Sequence, residues 1–182
     1  MDALKLESLP HYTYEDYKGW EGDWELIYGV PHAMAPSPVK IHQKLMGRIF
    51  SLLDEMLKEC PECEVLLEED WKVREDLVLR PDVAVVCRDT ETRYIAKTPE
   101  VIFEILSPST ADRDENLKYA IYEREGVKYY ILVYPEELTA KVFKNREDGL
   151  KKVGDYTMET LDFTDVSCPV TFDFDKLFSR FR

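Results

Sequence analysis

Val101-Ile102-Phe103-Glu104-Ile105-Leu106, closed by Ser107-Pro108-Ser109-Thr110, is the stretch on which the reading of the whole chain turns. Its apolar residues follow one another without polar alternation, the pattern of a central β-strand covered on both faces. Ser107 to Thr110 ends the strand, and Ser109 or Thr110 is placed to cap a helix from about Ala111 to Glu125, closed by Gly126. Glu104 interrupts the apolar run. A bare carboxylate at such a position is costly, and buried charges persist when they are paired or bind a metal. Glu104 is therefore either a metal ligand or half of an ion pair with an arginine such as Arg80 or Arg113.

Upstream, Asp82-Val83-Ala84-Val85-Val86-Cys87 repeats the pattern behind Arg80-Pro81. Asp82 starts this strand as Glu104 nears the end of its own, 104 − 82 = 22 residues later. Two acids on neighbouring strand ends suit one hard cation such as Mg²⁺, which prefers oxygen ligands. Taken alone, Asp82 also suits a residue capping the preceding bend.

Around these strands the spacing predicts a short helix from Tyr14 to about Gly19 behind a Thr13/Asp16 capping box, then strands at Trp24 to Tyr28 and Pro31 to Met34. Pro36 and Pro38 break the chain. From Val39 to Glu59, Ile41, Leu45, Ile49, Leu52, Leu53, Met56 and Leu57 recur at helical spacing, with Lys40, Lys44 and Arg48 on the other face. Further strands are expected at Glu64 to Asp70 and Val127 to Tyr134, a hairpin around Glu147-Asp148-Gly149, and a closing helical turn from Phe174 to Phe181. The pattern is that of an α/β (α+β) chain forming one domain over residues 1–182.

The chain carries 34% charged and 45% hydrophobic residues, a globular composition, and has no apolar stretch of membrane-spanning length. Its N-terminus lacks the basic start and apolar core of a signal peptide, so a cytoplasmic location is expected. The net charge of −13 excludes binding of a polyanion through overall charge, though a local basic strip can still meet phosphates. Cys60 and Cys63 form a CxxC, half of a zinc site, while Cys87 and Cys168 stand at no zinc-finger spacing. A thioredoxin-like role would need a strand before the motif and a helix after it, the reverse of the order here. The expectation is a turn with four reduced thiols that pack.

Trp24-Glu25-Leu26-Ile27-Tyr28-Gly29, Pro36-Ser37-Pro38 with His42, Arg80-Pro81-Asp82-Val83-Ala84-Val85-Val86, and Glu104-Ile105-Leu106-Ser107-Pro108-Ser109-Thr110 with Asn116-Leu117-Lys118 and Tyr122 occur in this order. Over roughly residues 12 to 135 they resemble the Uma-type family of proposed bacterial endonucleases, in the PD-(D/E)XK, restriction-endonuclease-like superfamily. The resemblance implies a mixed central sheet flanked by helices and Mg²⁺- or Mn²⁺-dependent cleavage of nucleic acid, DNA above all. Asp82 would match the motif's Asp and Glu104 its (D/E), with the backbone carbonyl of Ile105 completing the metal ligands. Two residues after Glu104 stands Leu106 rather than lysine, and Lys118 on the following helix is the replacement the resemblance implies. Asp114 and Lys118 also fit a plain i, i+4 surface pair. Glu25 would add a third acid, although a lone strand glutamate usually faces solvent. His42 lies on the inner side of the long helix, either touching substrate or a metal-bound water or serving as a satisfied core residue. Superfamily habit implies a homodimer. The departure at Leu106 and the net charge leave a second reading open, a catalytically weakened module that binds nucleic acid or protein. A third is a partner subunit whose DNA affinity comes from another chain.

Overall fold

The computed structural model describes residues 9–34 and 39–182. In chain order its elements are α1 (Tyr14–Tyr17), β1 (Trp24–Ile27), β2 (Val30–Ala33), α2 (Lys40–Met56), β3 (Cys63–Leu67), β4 (Trp71–Arg74), β5 (Leu77–Leu79), β6 (Val83–Cys87) and β7 (Val101–Ile105). A π-wound segment (Arg113–Lys118) then runs into α3 (Tyr119–Arg124), followed by β8 (Tyr129–Tyr134), β9 (Thr139–Arg146), β10 (Gly149–Tyr156), β11 (Thr160–Phe163), β12 (Val170–Asp173) and α4 (Phe174–Phe178). The break expected at Pro36 and Pro38 lies outside the described residues.

Six strands form the central sheet in the order β10-β9-β8-β7-β6-β3. Only β7 and β8 run parallel, joined by the crossover through the π-wound segment and α3, so the sheet is mixed. Side chains alternate along each strand, which sorts the central residues onto two faces. Val83, Val85, Val101, Phe103, Ile105, Ile131 and Val133 face α2, the β11–β12 hairpin and α4, forming one apolar layer. Fully burying a side chain such as Phe103 stabilises by roughly 1.5–3 kcal/mol. The opposite face presents Ala84, Val86, Ile102, Tyr130 and Leu132 to Ile121 and Tyr122 of α3 and to Trp71, Leu77 and Leu79. A smaller antiparallel sheet, β2-β1-β5-β4, supplies the last three residues.

The helix and strand expectations largely correspond to these elements. Asp16 reaches back to the Thr13 N–H at 2.9 Å, the second half of the expected capping box. The helix expected from Ala111 is wound as π over Arg113–Lys118 before becoming α. Spacing could not reveal β4, β5, β11 and β12, which are only three or four residues long. Among the described residues no helix is long and apolar enough to cross a membrane.

The cysteines depart from expectation. Cys87 and Cys168 adjoin the Cys60–Cys63 turn, and the structure pairs Cys60 with Cys168 and Cys63 with Cys87 in place of four free thiols. Strand pairing is the reason. Cys63 and Cys87 stand opposite one another in β3 and β6, and Cys168 lies in the loop between β11 and β12, contacts that sequence separation conceals.

Candidate active site

The β6–β7 ladder pairs Val83 with Phe103, so Asp82 and Glu104 occupy the next opposed positions. Their side chains and backbones lock this end of the ladder. An Asp82 carboxylate oxygen, Oδ2, accepts the Ile105 N–H at 2.6 Å, and the Asp82 N–H points at Oε2 of Glu104 from 3.4 Å. The second contact is too long to commit that oxygen firmly. Both acids are buried, Asp82 at the rim of a cleft and Glu104 behind it.

Glu104 lies on the sheet face covered by α3, and its partner is Lys118. The Lys118 ammonium stands 2.9 Å from Oε1 of Glu104, 2.8 Å from Oε1 of Glu25 and 3.7 Å from Asp114. The same Glu104 oxygen accepts the Tyr122 hydroxyl at 2.7 Å. Glu25 is fully buried, contrary to the usual strand glutamate, and also takes the Arg80 N–H at 2.9 Å and Arg113 at 3.2 Å. Asp114 and Lys118 are both buried, so they are no surface pair. The π winding widens the turn and brings this charged pair to the inner side before α3 resumes with Ile121 and Tyr122. In the alternative reading of Glu104 as half of an ion pair with Arg80 or Arg113, the partner is instead this lysine: the Arg80 guanidinium pairs with Asp70 and Asp23, and Arg113 with Glu25.

Burial pushes the Glu104 carboxyl well above the ordinary carboxylate value, with the Lys118 charge opposing that rise and Asp114, Asp82 and Glu25 adding to it. Burial likewise raises Asp114 to about 6 against the pull of Lys118. For Lys118 burial disfavours the charge, but Glu104, Glu25 and Asp114 outweigh it and hold the ammonium well above its usual range. The centre is thus a lysine whose charged form is favoured, set among carboxyl groups that burial pushes toward their neutral form.

At the rim, His42 of α2 places Nε2 3.2 Å from Oδ2 of Asp82. Burial alone would lower its pKa, yet the hydrogen bond and charge of Asp82, then Glu68, raise it overall. Nδ1 of His42 is buried with no partner among the described residues. A cavity of about 490 Å³ opens here, lined by His42, Glu68, Asp82, Leu106 and the Ser107–Thr110 turn. Glu68, in the left-handed region at φ 47°, donates its N–H to the Asp82 carbonyl at 3.1 Å. A non-glycine residue held there stores local strain, which persists where surrounding structure fixes it.

The Uma2 family, described as "Putative restriction endonuclease", has a model that matches residues 12–170. The chain belongs to the Uma2 family. A crystal structure titled "a putative nuclease belonging to DUF820", from Anabaena variabilis ATCC 29413, is similar to it, with a TM-score of 0.73, 19% identity and coverage of 92% of this chain and 97% of that one. That likeness shows the fold, which is restriction-endonuclease-like. No curated protein matches the chain.

Within this Uma2 chain, Glu25, Glu104 and Lys118 meet in one buried cluster, while Asp82, His42 and Ile105 form the layer between that cluster and the cleft. The Ile105 amide, rather than its carbonyl, is what touches Asp82. For a divalent metal the donor chemistry fits: Oε2 of Glu104 has only its long contact, and Oδ1 of Asp82 has no hydrogen bond among the described residues. Two carboxylates, completed by water and phosphate oxygens, are a usual Mg²⁺ set. Sequence reasoning missed Glu68, whose only signal is a backbone conformation invisible before folding, and it gave Tyr122 no role although the tyrosine falls in the helix motif.

Proposed function

We propose that this Uma2 chain is a Mg²⁺- or Mn²⁺-dependent endonuclease that hydrolyses phosphodiester bonds of nucleic acid, DNA in particular. The observation that carries the reading is the opposed pair Asp82 and Glu104 at the end of the β6–β7 ladder, with Lys118 on the inner side and the cleft on the outer. Asp82, Glu104 and the Ile105 carbonyl are the proposed metal ligands. Bound there, the ion would supply a water of lowered pKa and positive charge beside the phosphate.

The residues of the chain do the rest. The Ile105 N–H and His42 fix one Asp82 oxygen, which leaves the other for a ligand at the cleft. Lys118 and Tyr122 hold Oε1 of Glu104, fixing the carboxylate plane. Lys118, on a helix instead of two residues after Glu104, brings the cation that Leu106 cannot. Glu25, pinned by Arg80 and Arg113, keeps Lys118 in place. The water oxygen joins phosphorus as the bond to the 3′ oxygen breaks and that oxygen takes up a proton, leaving 5′-phosphate and 3′-hydroxyl ends by analogy with the superfamily. We propose a cytoplasmic homodimer, since twofold symmetry suits cleavage of two strands.

The test is incubation with supercoiled plasmid, single-stranded DNA and RNA in Mn²⁺, with Glu104→Ala and Asp82→Ala beside wild type. Cleavage by wild type and a loss of at least about 100-fold in each variant is expected. Cleavage that survives both substitutions overturns the assignment. A second reading, a weakened nuclease-like binding module, is favoured by the enclosure of Lys118, whose side chain is only 4% exposed and bound to three acids. It predicts Mn²⁺ stabilisation of wild type over Asp82→Ala without cleavage.

A further inference from the structure

A second metal-ligating cluster lies at the other end of β6 from Asp82, about 17 Å away by strand rise. Four separate stretches converge there: the end of the turn after α2 brings Cys60, the start of β3 Cys63, the end of β6 Cys87, and the β11–β12 loop Cys168. These are all four cysteines of the chain. The sulfurs of Cys60, Cys63 and Cys168 lie within 4.8 Å of one another, and Cys87 adjoins Cys63. We propose that in the reduced protein these four thiols are the ligands of one structural zinc ion.

With the Cys60–Cys168 and Cys63–Cys87 bridges reduced, the four sulfurs are close enough to share one centre. Two bridges do not require the pairs to meet, yet the Cys63 and Cys168 sulfurs, which belong to different pairs, are 3.5 Å apart. A tetrahedron with Zn–S of about 2.3 Å has sulfur–sulfur edges of about 3.8 Å. Cys60-Pro61-Glu62-Cys63 has the spacing of a zinc knuckle, closed by the Cys63 N–H donating to the Cys60 carbonyl at 3.1 Å. A small cavity of about 10 Å³ beside the cluster is lined by Cys63, Cys87 and Cys168 together with mostly apolar residues such as Leu53, Val85 and Phe163, with Cys60 outside it. The carboxylate of Glu62, also within reach of the sulfurs, is engaged by Arg88. Glu100, 3.7 Å from Cys87, is neutralised by Lys128 at 3.0 Å and held by Ser167.

Four thiolates leave no open position, which marks the site as structural. Binding releases the four thiol protons to solvent, so affinity falls with acidity. The ion would tie the edge strand β3 to the β11–β12 layer across 108 residues of sequence, the separation of Cys60 and Cys168. Soft sulfur ligands also keep this site apart from the hard carboxylate centre.

The experiment measures metal content of the full chain purified under reducing conditions, then exchanges the ion for Co²⁺. One zinc per chain is expected in wild type and in Asp82→Ala, with a cobalt spectrum of tetrahedral thiolate type. Cys87→Ser and Cys168→Ser should bind Co²⁺ at least tenfold more weakly. If those variants do not fold, the wild-type cobalt spectrum and intact mass still decide. A mass still lower by four hydrogens after purification in reductant, with no thiol open to alkylation after denaturation and chelation, would mean that both disulfides persist and would overturn the proposal. So would absence of zinc together with an octahedral cobalt spectrum.

Discussion

The two faces of the central sheet are built from the same strands and do opposite things. Toward α2, Val83, Val85, Val101, Phe103, Ile105 and Ile131 form a layer with no charged residue among its buried members. On the other face, one residue along from Phe103, Glu104 meets Lys118, Tyr122 and, through Lys118, Glu25 and Asp114. The first face holds the domain together through burial, which is additive and tolerant of small changes in shape. The second holds ions out of water, where attraction is strong but removal of one member leaves the others uncompensated. Stability and chemistry are separated by the two-residue period of a strand.

The largest expected effect breaks the charged face. Lys118→Ala leaves three buried acids facing one another and should cost about 3–5 kcal/mol in urea unfolding, along with any cleavage activity. Adding Glu104→Gln should restore part of that stability and none of the activity. A loss under about 0.5 kcal/mol for Lys118→Ala would mean that the cluster is hydrated and that the contrast between the faces is wrong. Ile131→Val tests the apolar face, with an expected cost of about 0.5–1.5 kcal/mol and unchanged activity.

The third effect is a change of slope. Burial raises Asp114 from 3.8 to about 6, so across that window the folded state holds more protons than the unfolded chain. A raised carboxyl contributes stability below its unfolded value, and that contribution is lost as pH climbs through the folded one. Asp114→Asn should therefore flatten the fall in stability between pH 4 and about 6, measured by melting temperature against pH. An unaltered slope would assign the titration to Glu104 alone. Smallest is Thr13→Ala, far from either face, expected to cost at most about 0.5 kcal/mol by removing the exposed bond from the Thr13 hydroxyl to Asp16.

Much of this was legible before folding. Val101 to Leu106 announced a doubly covered strand, and the lone glutamate within it marked the charged centre. The amphipathic spacing from Ile41 to Leu57 located α2 and turned His42 inward. What stayed hidden depends on pairing across the fold. Nothing local to Glu25 distinguishes it from a solvent-facing strand acid, because its burial is imposed by Arg80, Arg113 and Lys118 from distant segments. The three-residue β5 is too short for a period to be read. The cysteine cluster was concealed for the same reason, since Cys63 and Cys87 meet only through the β3–β6 register.

The π-wound turn before α3 makes the charged centre adjustable without altering the frame. A π turn holds one residue more than the α turn it replaces. Deleting Glu115 would relax the segment to α geometry, and with Ile121 and Tyr122 seated on the sheet the rotation would fall on the residues before the deletion. Lys118, one turn ahead of that seat, would stay beside Glu104 and Glu25, while Asp114 and Arg113 would be turned away from Lys118 and Glu25. One residue of winding thus sets how many partners the buried lysine and Glu25 keep, with the sheet unchanged.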